Sequence, residues 1–222
     1  MTNLRADSLR YEIDGDRIVD DVSLDVASGE TIAIVGPSGA GKSTFLRLLN
    51  RLDEPTAGTV YLDDTDYRTL APATLRKRVG LVPQQPALRN GTVRENVTIG
   101  PRLRGESVAE ERLTALLADV GLSGYADRKT GDLSGGEAQR VAIARTVAND
   151  PDVFLLDEPT ASLDSEAEAA IERLVAELLA TGERTVVLVT HDERQAERLA
   201  DRVARFADSR IVEVGTPREV IA

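Results

Sequence analysis

Short apolar runs alternate along the chain with stretches of helical period, which predicts an α/β architecture. Leu9, Tyr11 and Ile13 fall on every second position, as do Val22, Leu24 and Val26, so both segments are expected as strands of a small flanking antiparallel sheet. Thr31-Ile32-Ala33-Ile34-Val35 is a continuous run, the pattern of a parallel strand buried on both faces. It leads into a glycine-rich loop and a helix expected to end near Asn50. A short strand is expected at Val79–Val82.

The middle third carries a different period. Ser107 is expected to cap a helix that Gly121 stops, and a second helix is expected from Ser134 to about Asn149, with Pro151 just beyond. Between residues 86 and 149 the pattern gives helices and no core strand. After this come strand Val153–Leu156, helix Ser165–Ala180, strand Thr185–Thr190 and helix Glu193–Ala200. The chain closes with strands Val203–Phe206 and Ile211–Val214 and a short helix opened by Pro217. The expectation is a single domain over residues 1–222. Residues 1–85 and 150–222 would form the α/β core with its β-subdomain, and residues 86–149 an inserted helical subdomain.

Composition narrows the function classes. The 222 residues suffice for one full core, and no apolar run is long enough to span a bilayer. The opening MTNLRADSLRYEIDG lacks the charged-then-apolar pattern of a signal peptide, so a cytoplasmic location is expected. The absence of Cys removes thiol catalysis, disulfides and cysteine–zinc sites. A net charge of −11 opposes binding to a nucleic acid backbone. Of the 27 basic residues only Lys42, Lys77 and Lys129 are lysines. Acid-rich, lysine-poor surfaces resemble those of salt-in halophiles, and an arginine-favouring high-GC genome would give the same bias.

Three motifs carry the chemistry. Gly36-Pro37-Ser38-Gly39-Ala40-Gly41-Lys42-Ser43-Thr44 fits G-x-x-x-x-G-K-[ST]. Its glycines allow successive backbone N–H groups to face phosphate oxygens, and the following helix adds its positive end. Lys42 is expected on the β and γ phosphates of ATP, and the Ser43 hydroxyl on Mg²⁺. Strand Val153–Leu156 delivers Asp157, expected to support Mg²⁺, and Glu158, expected to polarise the attacking water. His191, the one histidine in the chain, follows an apolar strand that ends where the phosphates are expected. The third motif is Leu133-Ser134-Gly135-Gly136-Glu137, lying between the other two.

Taken in order, these motifs resemble the ATP-binding cassette (ABC) family from about residue 4 onward. The resemblance implies a P-loop NTPase core and a subunit that closes on a second copy around two MgATP. In that arrangement Ser134, Gly135 and Gly136 would approach the γ-phosphate held by the opposite copy. His191 would contact the γ-phosphate of its own. Val82-Pro83-Gln84-Gln85 resembles the family's glutamine loop, with Gln84 rather than Gln85 as the implied Mg²⁺ and water ligand. Ala161-Ser162-Leu163-Asp164 resembles its dimer-contact loop. Two departures stand out. The position that stacks on adenine in the family falls near Ile13, whereas the aromatic side chain is Tyr11; either Tyr11 stacks or Ile13 gives a weaker apolar contact. Pro83 stands where an aromatic residue is commoner.

The family resemblance also implies separate multispan permease subunits, with this chain peripheral on the inner face of the membrane. Arg89–Val97 is the expected docking surface for the permease, against the plainer reading of a solvated segment. Phosphate or other anion import is the expected transport, with or without a solute-binding protein. A metal-exporter type is the alternative, because Leu48–Thr56 and Val82–Val97 resemble both subfamilies. A soluble, non-transport ABC ATPase is the remaining class.

Overall fold

The structure is a computed structural model describing residues 2–161, 163–180 and 184–221. They divide into two compact units. The first comprises Met1–Leu81, Asp152–Glu158 and Leu179–Ala222, and the second Val82–Pro151 and Pro159–Leu178.

In the first unit, β1 (Leu4–Ile13) and β2 (Asp16–Val26) form an antiparallel hairpin closed by Asp14 and Gly15. Both turn residues have positive φ, 53° and 91°, the backbone that matches the twist of the flanking strands. Each strand contains a break in register. Ser8 (φ 50°) and Asp21 (φ 58°) are the residues in left-handed backbone, and the inward phase changes there. Leu4 and Ala6 point inward before the first break and Leu9 after it; Val19 precedes the second and Val22, Leu24 and Val26 follow it. β4 (Ala57–Leu62) and β5 (Thr65–Asp66) complete a four-stranded sheet in the order β2-β1-β4-β5. This pair, and α2 (Pro72–Arg78) after it, escaped the sequence pattern.

The second sheet has six strands in the order β10-β9-β3-β8-β7-β6. β3 (Thr31–Val35), β7 (Val153–Asp157) and β8 (Thr185–Val189) are buried at every position and run parallel, as continuous apolar runs require. β6 (Val79–Val82) and β9 (Arg202–Ala207) flank them, and β10 (Arg210–Gly215) pairs antiparallel to β9 at the edge. Helix α1 (Lys42–Leu49) puts Phe45, Leu46, Leu48 and Leu49 into one apolar cluster with residues of both sheets. Burying each such side chain contributes about 1.5–3 kcal/mol. The other face of β3 and β9 is covered by Ala196 of α8 (Glu193–Leu199) and Val220 of α9 (Pro217–Val220).

The second unit is helical: α3 (Val93–Val97), α4 (Ile99–Leu103), α5 (Glu110–Asp119), α6 (Gly135–Val147) and all but the last two residues of α7 (Ser165–Ala180). α5 starts after Ala109, so Ser107 is not its cap, and that expectation is corrected. The helix is opened instead by Glu110 and Glu111, acids that favour the positive end of a helix. α3 begins with a reciprocal Thr92–Glu95 capping box. Buried Asn96 then ties down the preceding loop: its Oδ1 accepts from Arg89 N at 2.8 Å, and its Nδ2 donates to Arg89 O and Thr92 O at 2.9 Å. Among the described residues no helix is long and apolar enough to cross a membrane.

Candidate nucleotide site

β3 ends at Val35, and the chain passes through Gly36–Gly41 into α1. Gly36, Gly39 and Gly41 have φ of 148°, 79° and 106°, where side chains are strained. Gly36 and Gly41 are also hemmed in. A β-carbon on Gly36 would stand 2.0 Å from Phe206 O, and one on Gly41 2.2 Å from Ile18 O. The loop thus rests on two backbone carbonyls, one from β9 and one from β2. Pro37, Ser38 and Gly39 at its crest are exposed, Ala40 less so, and Thr44 follows Ser43 in the first turn of α1.

Lys42 is buried, and its Nζ donates to Gly36 O and Pro37 O, each at 2.8 Å. Burial lowers its pKa, against the opposing pull of Glu158 and Asp157. These carbonyl bonds fold the ammonium back over its own loop, a placement from which it can turn to a phosphate.

The end of β7 brings both acids. Asp157, the last residue of β7, is buried, and Ser43 Oγ donates to its Oδ1 at 2.8 Å. Burial raises its carboxyl pKa, the Ser43 hydrogen bond opposes this, and Glu158 adds to the rise. Two hard oxygen donors in contact, one an anion destabilised by burial, suit a divalent cation of the Mg²⁺ kind. Glu158 has φ 42°, a strained backbone for a residue with a side chain, and its N–H donates to Val189 O at 2.9 Å. That bond ties the glutamate to the end of β8. His191 lies just beyond β8, with Nδ1 3.2 Å from Glu158 Oε2. The histidine side chain is 67% exposed and the glutamate 17%. An open cleft of about 460 Å³ runs from Gly36 and Pro37 past His191 to Arg194 and Arg205.

The structure therefore gathers Gly36–Thr44, Asp157, Glu158 and His191 in the first unit. Tyr11 sits on β1 in the same unit, half-buried and packed on the core, while Ile13 at the hairpin tip is 47% exposed. Ile13 is thus the more exposed of the two, relative to its size. Sequence reasoning missed the carbonyl floor at Ile18 and Phe206 and the backbone strain at Glu158, since neither depends on residue type.

Gln84, Ser134, Gly135 and Gly136 belong to the second unit. Gln84 is exposed in the loop after β6. Ser134 caps α6: its Oγ accepts from Glu137 N at 3.3 Å, and Glu137 Oε2 accepts from Ser134 N at 2.8 Å. Gly135 is exposed and Gly136 buried, where a β-carbon would come within 2.7 Å of Ala167 Cβ. Gly135, exposed in the first turn of this 13-residue helix, presents its backbone N–H at the positive helix end beside the exposed Ser134 side chain, a suitable anion contact. Of the Ala161–Asp164 run, Ser162 lies outside the described residues.

Comparisons with known proteins identify the family. The family model described as ABC transporter matches residues 19–161. "ABC transporter I family member 17" of Arabidopsis thaliana is 46% identical over 215 residues, 96% of this chain and 82% of that protein. "Phosphate import ATP-binding protein PstB 2" of Natronomonas pharaonis is 42% identical over 226 residues, 96% of this chain and 79% of that protein. Relatives named for sulfate/thiosulfate import in Rhizobium meliloti and methionine import in Haemophilus influenzae also match, and the chain spans 60% and 61% of their lengths. Among solved structures, the dimeric post-hydrolysis state of the ATP-binding cassette MJ0796 bound to ADP and Pi superposes with a TM-score of 0.85 at 34% identity, covering 97% of this chain and 99% of that one. The matched segment holds the phosphate loop, the signature and the paired acids in one stretch, and on that evidence the chain belongs to the ABC transporter family.

Proposed function

We propose that this chain is the ATP-binding and ATP-hydrolysing subunit of an ABC transporter, working as two copies closed around two MgATP and driving a separate permease. The observation that carries the reading is the pair of contacts at the ends of neighbouring strands: Ser43 with Asp157, and Glu158 with His191. They separate metal support from water activation, the two tasks of phosphoryl transfer to water.

The phosphates of ATP occupy the N–H groups of Gly36–Lys42, and Lys42 exchanges its two carbonyl contacts for the β and γ phosphates. Ser43 and Asp157 would hold Mg²⁺, with Gln84 as a further ligand; the ion supplies charge neutralisation on the phosphate oxygens. Glu158 orients a water and takes its proton, and His191 holds that carboxylate and reaches the γ-phosphate. Ser134, Gly135 and Gly136 of the second copy close the site. For adenine, either Tyr11 stacks on the base or Ile13 gives a weaker apolar contact.

Phosphate or another oxyanion imported through the permease is the transport we infer, supported by the relatives named for phosphate and for sulfate/thiosulfate. Replacing Glu158 with Gln tests the catalytic reading: MgATP binding should persist while hydrolysis falls by about 10²-fold or more. Full turnover in that variant would reject it. Affinity capture of the tagged chain from its native membranes tests the transport reading. A multispan permease with an oxyanion-binding protein is expected; a multispan protein that transports metal would reject oxyanion import.

A further inference from the structure

The phosphate loop does not stand on its own sheet alone. Gly36 lies against Phe206 O and Gly41 against Ile18 O, so the shape of the loop depends on how β9 and β2 are held relative to each other. Phe206 also packs its ring on Phe45 of α1, at a centroid distance of 5.9 Å. Close behind both contacts the two segments are joined. Asp20 N donates to Ser209 O at 2.8 Å, and Ser209 Oγ donates to Arg17 O at 2.8 Å. Arg210 closes the joint: its Nε donates to Asp20 Oδ2 at 3.1 Å, and its terminal nitrogen pairs with the same oxygen.

Two features mark this joint as more than a surface ion pair. Asp20 is inward because the break at Asp21 turns it beside Val19, and its side chain is only 9% exposed. Three arginines face it, Arg210 from β10, Arg17 at 3.5 Å and Arg10 at 3.9 Å. The other half of the joint is strained: Asp208 and Ser209 form the β9–β10 turn with φ of 47° and 65°, and neither is glycine. Such a turn persists where its surroundings over-determine it, and here the surroundings are Asp20 and Arg17.

We propose that Asp20, Ser209 and Arg210 form a latch that positions the phosphate loop by fixing β2 and β9 beneath it. They are positioning residues; none touches the loop. The proposal rests on Gly36–Thr44 being the ATP phosphate site. With the latch open, the loop spends part of its time in shapes that do not bind, and apparent affinity falls by that fraction. Bound ATP restores the loop, so turnover at saturation is preserved.

The test is equilibrium MgATP binding and steady-state hydrolysis by the full chain, comparing wild type with Arg210→Met, Arg210→Lys and Ser209→Ala. Arg68→Met serves as control, because it removes an ion pair with Asp66 on the same unit at 2.6 Å. Arg210→Met should raise both Kd and KM for MgATP about three- to tenfold with kcat within about twofold, and Arg68→Met should change neither. Arg210→Lys should recover part of the loss, and Ser209→Ala should show a smaller rise of the same kind. If Arg210→Met does not fold, the Lys and Ala variants decide. A latch of purely structural effect would lower Tm in all of them with Kd and KM unchanged, which would overturn the proposal. Failure of the wild type to bind MgATP would overturn the functional reading and the latch with it.

Discussion

At the scale of single residues, position rather than type separates the acids at the end of β7. Asp157 is buried on Ser43, and Glu158, one residue on, is turned by a positive φ toward His191. The strain at Glu158 gives a prediction. Asn and Gly tolerate this backbone, so Glu158→Asn or Glu158→Gly should raise folding stability by up to about 1 kcal/mol while eliminating hydrolysis. Thermal unfolding and an ATPase assay on the same samples check both halves; a stability loss would contradict the strain argument. Lys42→Ala should abolish measurable MgATP binding in a calorimetric titration, because it leaves the β and γ phosphates without their cation. Residue identity made Gly36–Thr44, Asp157 and Glu158 legible in the sequence. The backbone angle of Glu158 and the carbonyl floor under the loop were not, because any residue type presents the same carbonyl.

Among the elements, legibility followed the strength of the period. β3, β7 and β8 are unbroken apolar runs bounded by polar residues, and the sequence predicts each within a residue of its observed end. β4 carries Gly58 and polar Thr59, and β5 has two residues, so neither offers a period to read. Gly58 is there for its backbone: a β-carbon would come within 2.3 Å of Ser8 O, at the first break in β1. The α5 start was misread because Ser107 has the residue type of a cap, while the helix begins where the acids do.

α6 allows two further tests. Gly136→Ala would drive a β-carbon to 2.7 Å from Ala167 Cβ, so α6 and α7 must separate; a loss of about 1–3 kcal/mol is expected in denaturant unfolding. The Glu137 carboxyl is held down to about 2 by the Ser134 N–H, with the Tyr125 hydroxyl and Arg128 also lowering it. Its folded pKa is thus depressed below the ordinary value of 4.5, so its stabilising contribution is complete above that pH and disappears as pH falls toward 2. Glu137→Ala should remove this part of the acid dependence; a profile unchanged between pH 4.5 and 2 would contradict it.

For the whole molecule, one chain supplies both kinds of surface that an ATP clamp needs. The first unit carries Gly36–Thr44, Asp157, Glu158 and His191, to which the proposed function gives the phosphate, metal and water roles, and the second the exposed helix start at Ser134 and Gly135. In the proposed function these two surfaces meet across two copies. The most direct measurement is the mass of the Glu158→Gln chain by light scattering, with and without MgATP, alongside its hydrolysis rate. A monomer that doubles its mass on adding MgATP and hydrolyses it barely is the predicted result. ATP binding with no change in mass, or turnover equal to the wild type, would contradict the account.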